Sequence, residues 1–271
     1  MKKICFIFVF IFLFYLVMPS RAVFALLPYE NIKGIVFYNP LVLDNQLYQQ
    51  LQNALPVIKD AGFNTVVIVT PWKRYNPRPL ADPPEYNDQA FVDLKRIFDL
   101  LKSNNMQAII RLNLFGVGWS PEGIDRCYPS PEGPQTWILS PTYYNAFLRY
   151  SQEFLNRIID YKDMVYIAVA TENTIPCNMT CWENGEEIAA LIRPALGNFP
   201  NQLPANLRNQ FHIGYHDFCL ITLDWGHGQT PIQSPNPFDF LSMEAYDLEA
   251  FSDQQISNEL EARFLRFANL H

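Results

Sequence analysis

Apolar, β-rich runs alternate with amphipathic helical runs along most of this chain, and that alternation narrows the fold more than any other feature. The strand-type runs are Gly34 to Tyr38, Thr65 to Thr70, Gln107 to Leu114, Met164 to Ala170, Phe211 to His216 and Phe238 to Ala245. Thr65 to Thr70 is β-branched throughout, the signature of a strand buried on both faces. Between the runs, apolar residues recur at helical spacing: Leu47, Leu51, Ala54, Leu55 and Ile58; then Phe91, Leu94, Ile97, Phe98 and Leu101; then Phe147, Ser151, Phe154, Leu155, Ile158 and Ile159; then Ile188, Leu191, Ile192 and Ala195. Ser140-Pro141 reads as an N-cap followed by proline at the first helical position. Pro56 predicts a kink or break in the first helix. Ser252 with Gln255 forms a capping box for a last helix through Ile256, Leu260, Phe264 and Phe267. Phe218 to Leu223 reads either as a helical turn or as an extension.

Parallel strands need crossovers, so this order predicts a parallel sheet with helices packed on it. Two closures compete: an open doubly wound sheet and a (β/α)8 barrel. The first expects a glycine-rich turn after the first strand, and Tyr38-Asn39-Pro40 offers none. The strand ends carry polar and aromatic residues instead, namely Trp72, Asn113, Glu172, His216 and Tyr246, and barrel active sites are built there. The expected class is therefore α/β, a (β/α)8 barrel type, incomplete, with about six βα units. At 271 residues one domain is the default.

The first 25 residues read as an export signal: Lys2 and Lys3, an apolar run from Ile4 to Met18, then Val23-Phe24-Ala25 as a small-residue cleavage pattern. A retained anchor is the alternative, but the run falls short of the roughly 20 residues of a spanning helix. The domain then occupies 26–271, secreted or periplasmic. Cleavage removes three cations, Lys2, Lys3 and Arg21, and no acidic residue, so the formal charge moves from -7 to -10. No Lys/Arg cluster marks a nucleic-acid surface.

Four cysteines remain: Cys127, Cys177, Cys181 and Cys219. An even count in an exported chain suggests disulfides, with Cys177 to Cys181 and Cys127 to Cys219 as one pairing and free buried thiols as the alternative. Asn178-Met179-Thr180 is a glycosylation acceptor sequence where the host has that machinery. The 15% aromatic content supplies core volume or sugar-stacking platforms. Trp72, Trp119 and Trp225 are candidates for either use.

Val165-Tyr166-Ile167-Ala168-Val169-Ala170-Thr171-Glu172-Asn173 is an apolar strand ending in a carboxylate beside an amide. At a barrel mouth, burial raises the pKa of such a group, which suits a general acid near neutral pH. The plain alternative is a strand-end Glu paired to an Arg or capping a helix. His212 and His216 share a strand face, but Gly34 to Tyr38 carries no His pair, so no metal is expected, and no cofactor is implied.

Gly62-Phe63-Asn64-Thr65-Val66 with Pro71-Trp72, then Ile109-Ile110-Arg111-Leu112-Asn113, then Glu172 after the fourth strand, resembles the retaining glycoside hydrolases of the large (β/α)8 clan, with the cellulase/mannanase-like family 5 group nearest. The likeness runs from about Gly34 to Tyr246. It implies hydrolysis of β-linked poly- or oligosaccharides, with Glu172 as acid/base and Tyr246 assisting the nucleophile. It implies a sugar site lined by Trp72, Arg111, Asn113, Asn173, His216 and Tyr246. Three departures stand out. Thr171 precedes the acid/base where the family has Asn, with Asn173 as a substitute contact. The family's strand-two Arg is missing, with Arg111 as compensation or as a core counter-charge. The family's nucleophile is a Glu on strand seven, which by this count would begin just after His271; Glu244 stands in only if Phe218 to Leu223 is itself a strand. A non-catalytic carbohydrate-binding barrel is the competing reading, and a metal-dependent hydrolase the third.

Overall fold

The computed structural model describes residues 31–37, 45–113, 121–125, 127–170, 187, 190–192, 194–217 and 237–243. Six strands form one parallel sheet: β1 (Gly34–Val36), β2 (Thr65–Pro71), β3 (Gln107–Asn113), β4 (Val165–Ala170), β5 (His212–Asp217) and β6 (Phe240–Met243). Their order in the sheet is their order in the chain, and every pairing is parallel. A doubly wound sheet reverses its strand order at a switch point; this one never does, which is the winding of a (β/α) barrel.

Three long helices follow strands in the expected places: α1 (Asn45–Asp60), α2 (Asp88–Ser103) and α3 (Pro141–Arg157). The predicted break at Pro56 does not occur; α1 runs through it as one helix, forgoing only the bond that a proline cannot donate. The helix stops at Gly62, whose φ of 86° is the left-handed conformation that lacks a Cβ penalty. Gly62 N–H donates to the Lys59 carbonyl and Phe63 N–H to the Ile58 carbonyl, closing a Schellman turn that aims the chain into β2. Asn87 caps α2 by accepting from Ala90 N–H, and Ser140 caps α3 by accepting from Tyr143 N–H, with Pro141 at the first position. Residues 190–192 and 194–197 are helical, with Ile192 and Leu196 buried.

The strands show two faces. Val66, Ile68, Ala108, Ile110, Leu112, Val165, Ile167, Val169, Ile213 and Tyr215 pack against the helices in one core. The alternate positions form the inner face, where Val69, Tyr166, Ala168 and Gly214 are buried too. Burial on both faces explains why these strands read as continuous apolar runs. Inner-face cover thins toward the first strand, where Val36 is 49% exposed.

The helix-side core is aromatic. Trp72 stacks on Tyr150 at 5.6 Å and meets Trp137 and Phe147 edge-on at 5.7 and 5.5 Å. Tyr75 meets Phe91 and Phe154 at 5.0 and 5.2 Å. Asn76 sits beneath, accepting from Trp72 Nε1 at 2.9 Å and donating to the Glu85 carbonyl at 2.6 Å. Such pairs contribute roughly 0.5–1.5 kcal/mol each beyond area burial.

Tyr75 is fully buried, and its hydroxyl has no hydrogen-bond partner among the described residues. Tyr75→Phe therefore removes a desolvated polar group without loss, and urea unfolding should show stability unchanged within about 0.5 kcal/mol or raised, whereas Tyr75→Ala should cost about 3–5 kcal/mol. Burial raises the pKa of Tyr75 above the ordinary 10.0, and burial followed by the neighbouring Tyr75 raises that of Tyr150. A phenol whose folded pKa is raised contributes stability that is complete below pH 10.0 and is lost as pH climbs toward the folded value. Alkaline unfolding followed by circular dichroism should show this loss, at up to about 1.4 kcal/mol per pH unit per phenol, and a smaller slope in Tyr75→Phe.

Candidate functional site

The inner face carries Arg111 and His216 in the C-terminal half of β3 and β5. Register aligns Val69, Arg111, Ala168, Gly214 and Phe240 across β2 to β6 in one row. The row nearer the strand ends contains Pro71 opposite Asn113, then Ala170 opposite His216 opposite Ser242. Arg111 is 4% exposed and His216 6% exposed, so β3 and β5 hold both inside the ring of strands. Thr70 reaches from the other face of β2 and donates to the Arg111 carbonyl at 2.9 Å, fixing the backbone beneath the guanidinium.

Of the residues expected at the site, the structure brings Arg111 and His216 to this face and places Asn113 at the last position of β3, with the Asn113 side chain outside the described residues. Glu172, Asn173, Glu244 and Tyr246 also lie outside them. In sequence, Glu172 stands two residues beyond Ala170, the last residue of β4, and Glu244 directly follows Met243, the last of β6. β5 pairs directly with β6, and 218–223 lie outside the described residues. Glu244 thus directly follows the sixth strand of the sheet among the described residues.

Trp72 is a correction. It was expected to line the sugar site, but its side chain is 0% exposed, stacked on Tyr150 and enclosed by Trp137 and Phe147 on the helix side. Pro71 ends β2 on the inner face and the chain turns at once into a helical turn, Trp72–Tyr75, so the next residue points to the helices instead. Trp119 and Trp225 lie outside the described residues.

Two loops beyond the strand ends form a fastened wall. Glu122 N–H donates to the Pro77 carbonyl, and Arg149 to the Pro79 carbonyl. Arg78 bridges Glu85 at 3.0 Å and Glu122 at 3.1 Å. Arg78 is exposed, and these two carboxylates, Glu85 first, raise its already high pKa. Residues 127–128 and 135–136 pair as a short antiparallel ladder in the second loop. Cys127 is disulfide-bonded there, while Cys5, Cys177, Cys181 and Cys219 lie outside the described residues. At the opposite end of β6, Arg208 holds Asp239 through two bonds of 2.8 and 2.9 Å, and Asp239 accepts from Ile213 N–H at 2.7 Å, which sets the register of β6 on β5.

Sequence reasoning missed Gly214 and Phe240. A glycine inside a strand pattern signals a close approach, and Gly214 was that signal: a Cβ there would meet the Phe240 ring at 2.3–2.4 Å. Among the described residues no group of three metal-ligating side chains forms, and no helix is long and apolar enough to cross a membrane.

The burial of Trp72 makes a clear expectation. Trp72→Ala should lower unfolding stability by about 3–5 kcal/mol in urea titrations of the sugar-free protein, as core truncations do; a sugar platform would leave stability nearly unchanged and weaken sugar binding alone.

No family model and no curated protein matches the chain. Solved structures do. An exo-beta-1,4-mannosidase, Op5Man5, from Opitutaceae bacterium strain TAV5 superposes with a TM-score of 0.53 at 15% identity, over 79% of this chain and 38% of that one. A beta-1,4-D-mannanase from Cryptopygus antarcticus superposes with a TM-score of 0.50 at 11% identity, over 82% of this chain and 69% of that one. The chain thus spans well under half the length of the mannosidase. At these identities the likeness is one of fold: the chain has the (β/α)8 barrel architecture of these glycoside hydrolases, with six parallel strands among its described residues.

Proposed function

We propose that this chain belongs to a retaining glycoside hydrolase that cleaves β-linked poly- or oligosaccharides, with Glu172 as general acid and then general base. One observation carries the reading. Glu172 follows β4, the fourth strand of a sequentially wound parallel barrel, by two residues, where the glycoside hydrolases that the sequence resembles carry their acid/base. The two solved structures of like fold are both named for β-1,4-mannoside hydrolysis, which agrees with it.

The chemistry follows from the position. A carboxyl group beside a low-dielectric ring of strands favours its protonated form and can deliver a proton to a glycosidic oxygen as the bond breaks. The same group, now a carboxylate, deprotonates water in the second step. Retention needs a second carboxyl group about 5 Å away as nucleophile. Arg111 and His216, buried on the inner face, supply a cation and a hydrogen-bonding ring toward the sugar, and Asn113, Asn173 and Tyr246 complete the contacts in this reading. Neither a metal nor an organic cofactor takes part.

Export is part of the proposal. The apolar leader supports it, and the disulfide at Cys127 suits an oxidising compartment.

A second reading is favoured by Thr171, which stands directly before Glu172 where the hydrolases that the sequence resembles carry Asn: a barrel that binds carbohydrate without cutting it. One experiment separates the two. In the full-length gene product, Glu172→Gln should lower turnover of β-linked manno- and cello-oligosaccharides by roughly 10²- to 10⁴-fold with little change in thermal midpoint. Turnover equal to that of the unchanged protein removes Glu172 from the mechanism, and oligosaccharide binding without turnover in both proteins selects the second reading.

A further inference from the structure

Cys127 takes no part in the proposed chemistry, and it is disulfide-bonded. It stands in the short ladder of residues 127–128 and 135–136, opposite Thr136. That ladder is seated on the barrel wall. Thr136 is buried, and Trp137 directly after it meets Trp72 at 5.7 Å and Phe147 at 5.2 Å in the helix-side core. Tyr128 meets Tyr143 of α3 edge-on at 5.9 Å. Ser130 and Gly133 close the tip of the ladder with two backbone bonds of 3.1 and 3.0 Å. Ile124, three residues before the cysteine, is buried as well. One end of the bridge is therefore anchored in the core.

The other end is one of the chain's remaining cysteines, Cys5, Cys177, Cys181 or Cys219. Cys5 belongs to the leader that export removes. The other three all come after strand ends. In sequence, Cys177 and Cys181 come after Ala170, which ends β4, and Cys219 is the second residue after Asp217, which ends β5. Every strand pairing is parallel, so the chain leaves β3, β4 and β5 at the same end of the sheet. We infer that the Cys127 disulfide is a staple across that end: it ties the ladder after β3 to the segment that follows β4 or β5, and holds the two together only under oxidising conditions. The inference is independent of what the barrel binds or cuts. A bridge between segments far apart in the chain restricts their separation most. Its reduction takes two electrons and two protons from a dithiol: the S–S bond breaks, Cys127 and its partner become thiols, and the reductant closes to its own disulfide.

The test uses the exported full-length protein, with dithiothreitol as the dithiol. Peptide mapping by mass spectrometry without reductant should give the Cys127 peptide joined to a peptide that carries Cys177, Cys181 or Cys219. A Cys127 peptide that is free, or joined to Cys5, overturns the staple. Hydrogen exchange reads the mechanical part. Dithiothreitol should speed amide exchange by about 10-fold or more in residues 121–139 and in the segment holding the partner cysteine, with the amides of β2, β3 and β4 unchanged. Cys127→Ser should reproduce the faster exchange of 121–139 without reductant, and dithiothreitol should then add nothing there. Exchange that reduction leaves unchanged, or raises evenly through all strands as global unfolding does, overturns the inference.

Discussion

A parallel strand in this architecture must bury both of its faces, and the rest of the molecule answers to that requirement. One face meets α1 to α3 through Val66, Ile68, Ile110, Leu112, Ile167 and Val169. The other turns inward, where no helix can follow, and must be filled by the strands themselves. The two faces therefore have different compositions. The helix side is mostly aliphatic and aromatic, with Thr70, Asn76 and Ser151 as buried polar residues. The inner side mixes Ala168, Gly214, Arg111, Tyr166, His216 and Phe240, small residues beside polar and aromatic ones.

That asymmetry divides labour. The helix side holds the barrel wall rigid through Trp72, Tyr75, Tyr150 and Phe154, with Asn76 joining the wall to the loop that follows. The inner side carries a buried cation, Arg111, and an imidazole, His216. Rigid elements make precise sites, and here precision comes from β-strands whose register is fixed row by row, with the Arg208–Asp239 pair locking the sixth. Arg78 joins the two loops through Glu122 and braces its own loop through Glu85; such exposed pairs add little stability singly, so their part here is geometric.

Much of this was legible in the amino-acid order. The β-branched run from Thr65 marks β2, Ser140-Pro141 marks the start of α3, and the absence of a glycine-rich turn after the first strand separates barrel from doubly wound sheet. What failed to show was orientation at strand ends. Trp72 follows the last inner-face position of β2, and only the immediate turn into Trp72–Tyr75 decides that it enters the core. Pro56 carried a local signal for a break that tertiary packing of Leu51, Leu55 and Ile58 overrode. Gly214 and Phe240 lie 26 residues apart in sequence, and their contact depends on a pairing between β5 and β6 that periodicity does not encode.

The central claim is a proton donor after the fourth strand acting by a double displacement. The anomeric configuration of the first-formed product reports on it most directly. Proton NMR during hydrolysis of a β-linked manno- or cello-oligosaccharide by the full-length protein should show the β-anomer first, with the α-anomer rising only by mutarotation. An α-anomer appearing first would mean direct attack by water between more widely spaced carboxyl groups, and would contradict the account.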